Sequence, residues 1–313
     1  MILEKDVEAR LAGIEPAIAR EVLCDLLADG ISPLIALSRL LLALGGAGET
    51  EDFLASAARR WGRPLDSRLR ATARLLHDHR EGCERVAAML REHPDPARMS
   101  GPPEEVVATF RRFFDRWVAR NEEASVAAYS LGTPEILQRV TEEIVGLFDG
   151  WGLLGPHQRI LEIGCGIGRM QAALSPRVAE ARGVDIAPKM IAAARRRCSG
   201  LPNVHFSLST GRDLAGFGAE SFEIVLAVDS FPYIHQAGPQ VVETHFEEAA
   251  RVLVPGGEFI LLNFSYRDDT EADRAEVRRR CRTAGLTLVM NGAQPFELWD
   301  GVVFRMKKAN VYS

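Results

Sequence analysis

Leu161-Glu162-Ile163-Gly164-Cys165-Gly166-Ile167-Gly168-Arg169 is the stretch whose reading decides the fold. The apolar run 159–163 reads as a short strand, and a helix opens from Gly168. Three alternating glycines join them. Gly164 permits a tight turn out of the strand, Gly166 lets backbone approach a ligand closely, and Gly168 lets the helix pack near the strand. A dinucleotide-binding fingerprint needs glycine or alanine at position 169, where this chain has Arg169. A nucleotide triphosphate loop needs Gly-Lys-Ser/Thr, which is absent from the turn. A plain structural turn is the other reading of the motif.

Outward from this turn, short apolar runs alternate with helical stretches. Strands are expected at 182–185, 204–208, 222–228 and 258–264, with helices over 188–198, 239–254 and 271–284. That alternation implies a mostly parallel sheet covered by helices on both faces. Runs 286–290 and 302–306 have no helix between them, so they are expected as antiparallel partners at one end of the sheet. Upstream of residue 150 the periodicity is helical. Ser32 caps a helix with Pro33 at its first position, and Leu34, Leu37, Leu41 and Leu44 follow at helical spacing. The segment His93-Pro-Asp-Pro-Ala-Arg-Met-Ser-Gly-Pro-Pro103 reads as a linker, because so many prolines suit neither helix nor strand. A long helix is expected from about residue 104 to Tyr129, and another from Pro134 to about Gly150. The expected organisation is therefore an all-helical region 1–100, then a domain 101–313 with lid helices 104–150 and a core 157–308.

Asp185 ends the second expected strand. A carboxylate there can accept both hydroxyls of a ribose, or it can cap the helix that starts at Pro188. Ile186 and Met190 are apolar neighbours placed to sandwich a purine. In Asp229-Ser230-Phe231-Pro232-Tyr233-Ile234-His235, Asp229 stands at a strand's C-terminal end, where open α/β sheets place ligands. His235 is the candidate general base, since imidazole titrates near neutral pH, and Tyr233 is a candidate pocket wall. Either could equally serve packing. Tyr266 and Asp268, after the fifth strand, could reach an acceptor.

The chain resembles the class I S-adenosylmethionine-dependent methyltransferases over about residues 105–308. The resemblance is carried by 162–168, Asp185, Arg212-Asp213-Leu214, 221–225, Leu253-Val254-Pro255-Gly256-Gly257 and the terminal strand pair. It implies a Rossmann-like seven-stranded sheet, mostly parallel with an antiparallel last strand. It also implies that S-adenosyl-L-methionine is the co-substrate. Backbone around Gly164, Cys165, Gly166 and Gly168 would hold the methionine part, with Glu162 supporting the loop. Asp213 and Leu214 would face the adenine edge. Asp229, Ser230 and Phe231 would line the floor near the sulfonium, and Tyr129 would serve as a lid aromatic. Ser230-Phe-Pro-Tyr233 is a near miss to the Asp/Asn-Pro-Pro-Tyr signature of amino-methylating enzymes, with Phe231 in place of the first proline.

Composition sets outer bounds. The 313 residues are 47% hydrophobic and 26% charged, the mix of an ordinary globular protein rather than a disordered one. A formal charge of −5 gives no overall footprint for nucleic acid. Cysteines 24, 83, 165, 198 and 281 are odd in number and scattered, which points to a reducing compartment. The start at Met1-Ile2-Leu3 shows no secretory pattern and no run is long enough to span a bilayer, so a cytoplasmic location is expected. No metal is expected, since His77, His79 and Cys83 find no completing pair and Phe264 stands beside Asn263 where a second carboxylate would be needed. Arg59, Arg60, Arg63, Arg68, Arg70 and Arg74 make a basic stretch that is either a solvated face or a greeting for an acidic partner. The helical region could serve homodimerisation or cap a substrate. The expected activity is methyl transfer to a small-molecule acceptor. The alternatives are a sensor or scaffold that keeps the fold without turnover, and a nicotinamide-dependent oxidoreductase.

Overall fold

Ser32 accepts a hydrogen bond from the Ile35 amide, and Asp66 accepts one from Arg68, so two helices of the N-terminal region begin where their caps stand. The computed structural model describes residues 4–28, 30–62, 66–95, 99 and 101–310. Residues Met1-Ile2-Leu3, Arg63 and linker positions 96–98 and 100 lie outside the described residues. Helices α1 (Glu4–Leu11), α2 (Ala17–Leu27), α3 (Pro33–Leu44), α4 (Ala47–Trp61), α5 (Ser67–Asp78) and α6 (Arg80–Glu92) follow one another. Left-handed Gly45 closes α3, as expected for a residue without a Cβ.

The chain falls into two compact units. One comprises Met1–His93, Asn121–Val140 and Glu297–Asp300; the other comprises Pro94–Arg120, Thr141–Phe296 and Gly301–Ser313. In the first unit, the 297–300 segment is held by the Arg39–Asp300 ion pair at 2.8 Å and by Trp299 against Tyr129, ring centroids 5.0 Å apart. Gly82 lies under the Leu131 carbonyl, where a Cβ would stand 1.9 Å from that oxygen.

The single helix expected up to Tyr129 is broken. Helix α7 (Pro103–Val118) ends, and Asn121 caps a new short helix α8 (Glu122–Val126) by accepting from the Ala124 amide at 2.6 Å. Asparagine competes well for that capping position and restarts the chain there. Tyr129 then falls on a 3₁₀ turn, Ala128–Ser130, and α9 (Pro134–Gly150) follows.

The second unit holds the sheet, built from β1 (Arg159–Ile163), β2 (Glu180–Asp185), β3 (Val204–Leu208), β4 (Phe222–Val228), β5 (Leu253–Leu262), β6 (Leu286–Ala293) and β7 (Val303–Lys308). Its strand order is β3-β2-β1-β4-β5-β7-β6. Strands β1 to β5 run parallel, and β7 pairs antiparallel with both β5 and β6. This is the Rossmann-like seven-stranded arrangement that the sequence led us to expect. Helices α10 (Arg169–Leu174), α11 (Pro188–Arg197), α12 (Phe231–Gln236), α13 (Pro239–Val252) and α14 (Thr270–Ala284) complete the unit. Strand β5 begins earlier than its apolar pattern suggests. Pro255, Gly256 and Gly257 are taken up in an irregular start, where the register jumps between the Phe222–Leu253 and Ile224–Glu258 pairs.

Phe231, Phe246, Phe259, Phe264 and Phe304 are fully buried and interlock, mostly edge to face, with Phe231 stacked on Phe264 at 5.6 Å. This packing fixes the start of α12 against β5. Between β1 and β4 the strand order reverses direction, and open α/β sheets place ligands at the C-terminal ends of the strands flanking such a switch.

Candidate active site

Gly164, Gly166 and Gly168 all have positive φ, at 73°, 52° and 74°. At Gly164 a Cβ would stand 2.3 Å from the Ser230 Cβ, so the turn after β1 lies directly on the residue after β4. At Gly168 a Cβ would meet Phe206 of β3 at 2.8 Å and Ala194 of α11 at 3.0 Å, so the close packing at this glycine is against α11 and β3. Ser230 donates its hydroxyl to the Ile163 carbonyl and fastens the two strand ends together.

Asp185 closes the turn from the side. Its Oδ2 accepts from the Gly166 amide and its Oδ1 from the Ala187 amide, both at 2.9 Å. The carboxylate is only 8% exposed. Each oxygen keeps a further lone pair, so the group can hold the loop and still receive two hydroxyls. Burial raises its pKa to about 6, against the pull of the Ala187, Gly166 and Ile186 amides. Glu162 is buried beneath the same loop and accepts from Gln171 Nε2 at 2.7 Å. Burial lifts it to about 7. Cys165 is buried, and desolvation pushes its thiol well above the ordinary range, which keeps it inert.

Met190 is buried on α11, and Ile186 packs at the edge of the core. Gly211, after β3, is cramped between Ile186 and Val107, with a virtual Cβ 2.8 Å from the former and 3.1 Å from the latter. Asp213 accepts from the Ala215 amide at 3.2 Å and shapes a local turn; Leu214 beside it is buried.

The part that α7 plays was not legible in the sequence. Glu104 pairs with Arg212 after β3 at 3.1 Å, and Val107 abuts Gly211. Asp115 accepts from the Lys189 amide at the start of α11 at 2.8 Å. Phe110 and Phe114 pack edge-on to Tyr233 after β4, with centroids 4.9 and 5.0 Å away. Helix α7 therefore crosses the C-terminal rim of the sheet from β3 to β4. Its apolar spacing was readable; its target was not.

Beyond β4 the structure assembles a polar cluster. Asp229 has φ 57° and Asn263 has φ 68°, both uncommon for residues with a Cβ. Asn263 donates to Asp229 Oδ1 at 2.9 Å and accepts from the Val302 amide at 2.8 Å. Tyr266, 48% exposed, donates to the same Asp229 oxygen at 2.5 Å. Tyr233 is hydrogen-bonded to Tyr266, and their rings are edge-on at 5.8 Å. Burial and the nearby Asp229 charge push the Tyr233 phenol well up.

His235 stands elsewhere. Two residues apart on a helix do not face the same way, so it turns from Tyr233 toward α14. There its Nε2 is 3.5 Å from Glu276, and its ring lies edge-on to Phe264. Arg267 and Arg280 also hold Glu276, at 3.0 and 3.3 Å. Burial would raise the Glu276 carboxyl, but Arg267 and His235 hold it below its ordinary value. Tyr129 is buried in the first unit against Trp299. Asp268 has φ 54° on an exposed loop.

Residues 160–257 match a family model described as a methyltransferase domain. The demethylmenaquinone methyltransferase of Tropheryma whipplei is 31% identical over 109 residues, which is 35% of this chain and 43% of that protein. The methyltransferase YcgJ of Bacillus subtilis is 32% identical over 122 residues, 37% of this chain and 45% of that one. The chain thus spans less than half the length of these two relatives. Among solved structures, the magnesium protoporphyrin IX methyltransferase of Synechocystis, with bound S-adenosylmethionine, aligns at 16% identity and a TM-score of 0.48. That alignment covers 65% of this chain and 97% of the other. No described helix is long and apolar enough to cross a membrane.

Proposed function

We propose, from the match of residues 160–257 to the methyltransferase-domain family, that this chain transfers a methyl group from S-adenosylmethionine to a small-molecule acceptor and releases S-adenosylhomocysteine. The carrying observation is the turn at 164–168. Three left-handed glycines bare the backbone beside β4, and the buried Asp185 carboxylate holds the loop while keeping acceptor capacity. An adenosyl group with two hydroxyls and a charged amino-acid tail fits such a cradle.

In this reading Asp185 receives the ribose hydroxyls, and Ile186 and Met190 flank the purine under the cover of α7. Asp213 and Leu214 border the adenine edge. The bare backbone at 164–166 receives the methionine end, with Glu162 bracing the loop and Ser230 closing its floor. The donor supplies a methyl carbon already activated on sulfonium sulfur. The protein's work is to align the acceptor with it and keep water out. Asp229 and the aromatic groups around Tyr233 form the acceptor side, since the sheet continues from β1 to β4 and β5 on that flank. His235, engaged by Glu276 on the far side of α12, helps to hold α12 against α14. The helical region 1–100 is a candidate surface for a second copy, and the unpaired cysteines agree with a cytoplasmic setting.

The test is calorimetric titration with S-adenosylmethionine and with a nicotinamide dinucleotide side by side, followed by transfer of labelled methyl to an acceptor panel. Saturable binding of the sulfonium compound alone, with label transfer, supports the proposal. Binding of the nicotinamide compound in its place rejects it, and binding without product would mark a sensor.

A further inference from the structure

We infer that Tyr266 is a catalytic residue that receives the acceptor's proton and relays its own to Asp229, and that the acceptor is therefore a flat molecule that presents a hydroxyl. This deepens the methyl-transfer reading and rests on it. Three observations carry it. First, the Tyr266 hydroxyl donates to Asp229 Oδ1 at 2.5 Å while nearly half of the residue stays open to solvent. A surface tyrosine tied to a carboxylate at the end of β4 is placed to meet a ligand from outside. Second, the carboxylate is held for this partner. Asn263 fixes the same oxygen at 2.9 Å and is itself pinned by the Val302 amide. Both Asp229 and Asn263 hold left-handed backbone conformations to do so. Third, the walls are aromatic. Tyr233 meets Tyr266 edge to face and is backed from behind by buried Phe110 and by Phe114. Such a surface favours a planar ring.

The step balances as follows. A lone pair of the acceptor oxygen forms a bond to the donor's methyl carbon. The carbon–sulfur bond breaks, and its electron pair stays on sulfur as the neutral thioether. The acceptor proton passes to the Tyr266 oxygen, while the Tyr266 proton moves to Asp229. The positive charge lost at sulfur is matched by the negative charge lost at Asp229. No further reactant is needed. An acceptor that presents an amine is disfavoured, because it yields its proton to the Tyr266–Asp229 pair far less readily than a hydroxyl does.

The experiment reads binding apart from turnover. The full chain is saturated with S-adenosylhomocysteine, whose own binding is measured first by calorimetry. Then 4-nitrophenol and 4-nitroaniline, flat probes that differ in one group, are titrated into this complex and followed by absorbance. We expect the phenol to bind in its neutral form, with its apparent ionisation shifted to higher pH by Asp229. The aniline should bind at least about tenfold more weakly, the effect of one well-placed hydrogen bond to a charge-coupled group. Tyr266→Phe should erase the difference between the probes while leaving S-adenosylhomocysteine affinity unchanged. Asp229→Asn should remove the ionisation shift. Equal binding of both probes to the wild-type complex, or phenol affinity untouched in Tyr266→Phe, overturns the assignment. Failure of S-adenosylhomocysteine to bind the wild-type chain rejects the methyl-transfer reading itself.

Discussion

Asp185→Asn separates the ligand role of this carboxylate from its structural one. In the wild type each carboxylate oxygen accepts one amide N–H, from Gly166 and Ala187. Asparagine keeps one acceptor and turns an NH₂ group toward the other amide, so one charge-assisted bond is lost, about 1.5–3 kcal/mol. An opposing effect exists. Because the fold raises the group to about 6, its ionised form is disfavoured at neutral pH by about 3 kcal/mol relative to the unfolded chain. Asparagine carries no such charge. The two effects nearly offset, so the stability of the unliganded chain should move by no more than about 1–2 kcal/mol in urea titrations near pH 8. Donor binding has no such offset. Losing one acceptor for the ribose hydroxyls should weaken S-adenosylmethionine by about 1.5–3 kcal/mol, on the order of tenfold to a hundredfold in calorimetry. Unchanged donor affinity in a folded Asp185→Asn protein would refute the ribose assignment. A protein that fails to fold would refute the offset and make Asp185 a purely structural clasp.

The remaining expectations concern pH and packing. Glu162 and Asp185 have pKa values raised to about 7 and about 6, so the stability they contribute is complete below the ordinary carboxylate range and is lost as pH rises through those values. The melting temperature of the unliganded chain should therefore fall from about pH 5 to about pH 8, and a rise over that window would contradict the burial of this pair. Donor affinity should move the opposite way, climbing as Asp185 ionises through about 6, with proton release detectable by calorimetry in two buffers. Gly164→Ala combines a left-handed backbone with a Cβ collision on Ser230, for a loss of about 2–4 kcal/mol by chemical denaturation. Adding Ser230→Gly should recover only the collision part, and no recovery at all would deny the close approach of the two strand ends. Asn263→Ala removes both the bond to Asp229 and the bond from Val302 while keeping a left-handed φ, so denaturation should show a loss of about 2–4 kcal/mol. A loss under about 0.5 kcal/mol would mean that the cluster is not a fixed support.

The parts of the fold that were legible in the sequence are those where local chemistry and global arrangement agree. All three alternating glycines of 164–168 hold positive φ, a conformation a residue without a Cβ adopts readily, so the turn itself was legible from them. Asp185 was readable either as a cap or as a hydroxyl acceptor. Its bond to the Ala187 amide closes a local turn ahead of the helix rather than capping it, for Ala187 stands at the N-cap with no side-chain cap bond and the Lys189 amide is taken by Asp115. The break at Asn121 was visible in principle, because Asn-Glu-Glu-Ala is a helix start; the apolar spacing on either side concealed it. Other features depend on partners far away in the chain. Nothing local to Asp115 announces the Lys189 amide, and nothing local to Tyr266 announces Asp229. His235 stood out because imidazole titrates near neutral pH. A side chain's chemistry does not reveal its direction, and in a helix as short as α12 a step of two residues sends it to the opposite side.

Helix α7 has a foot on each side of the proposed site. Its Asp115 and Val107 contacts lie on the flank proposed for adenosine, and its Phe110 and Phe114 contacts lie behind Tyr233 on the flank proposed for the acceptor. On that reading, a movement of α7 that released the spent nucleoside would also strip the aromatic backing from Tyr233. Departure of one product would then loosen the grip on the other, and one rod would gear the two halves of the site together.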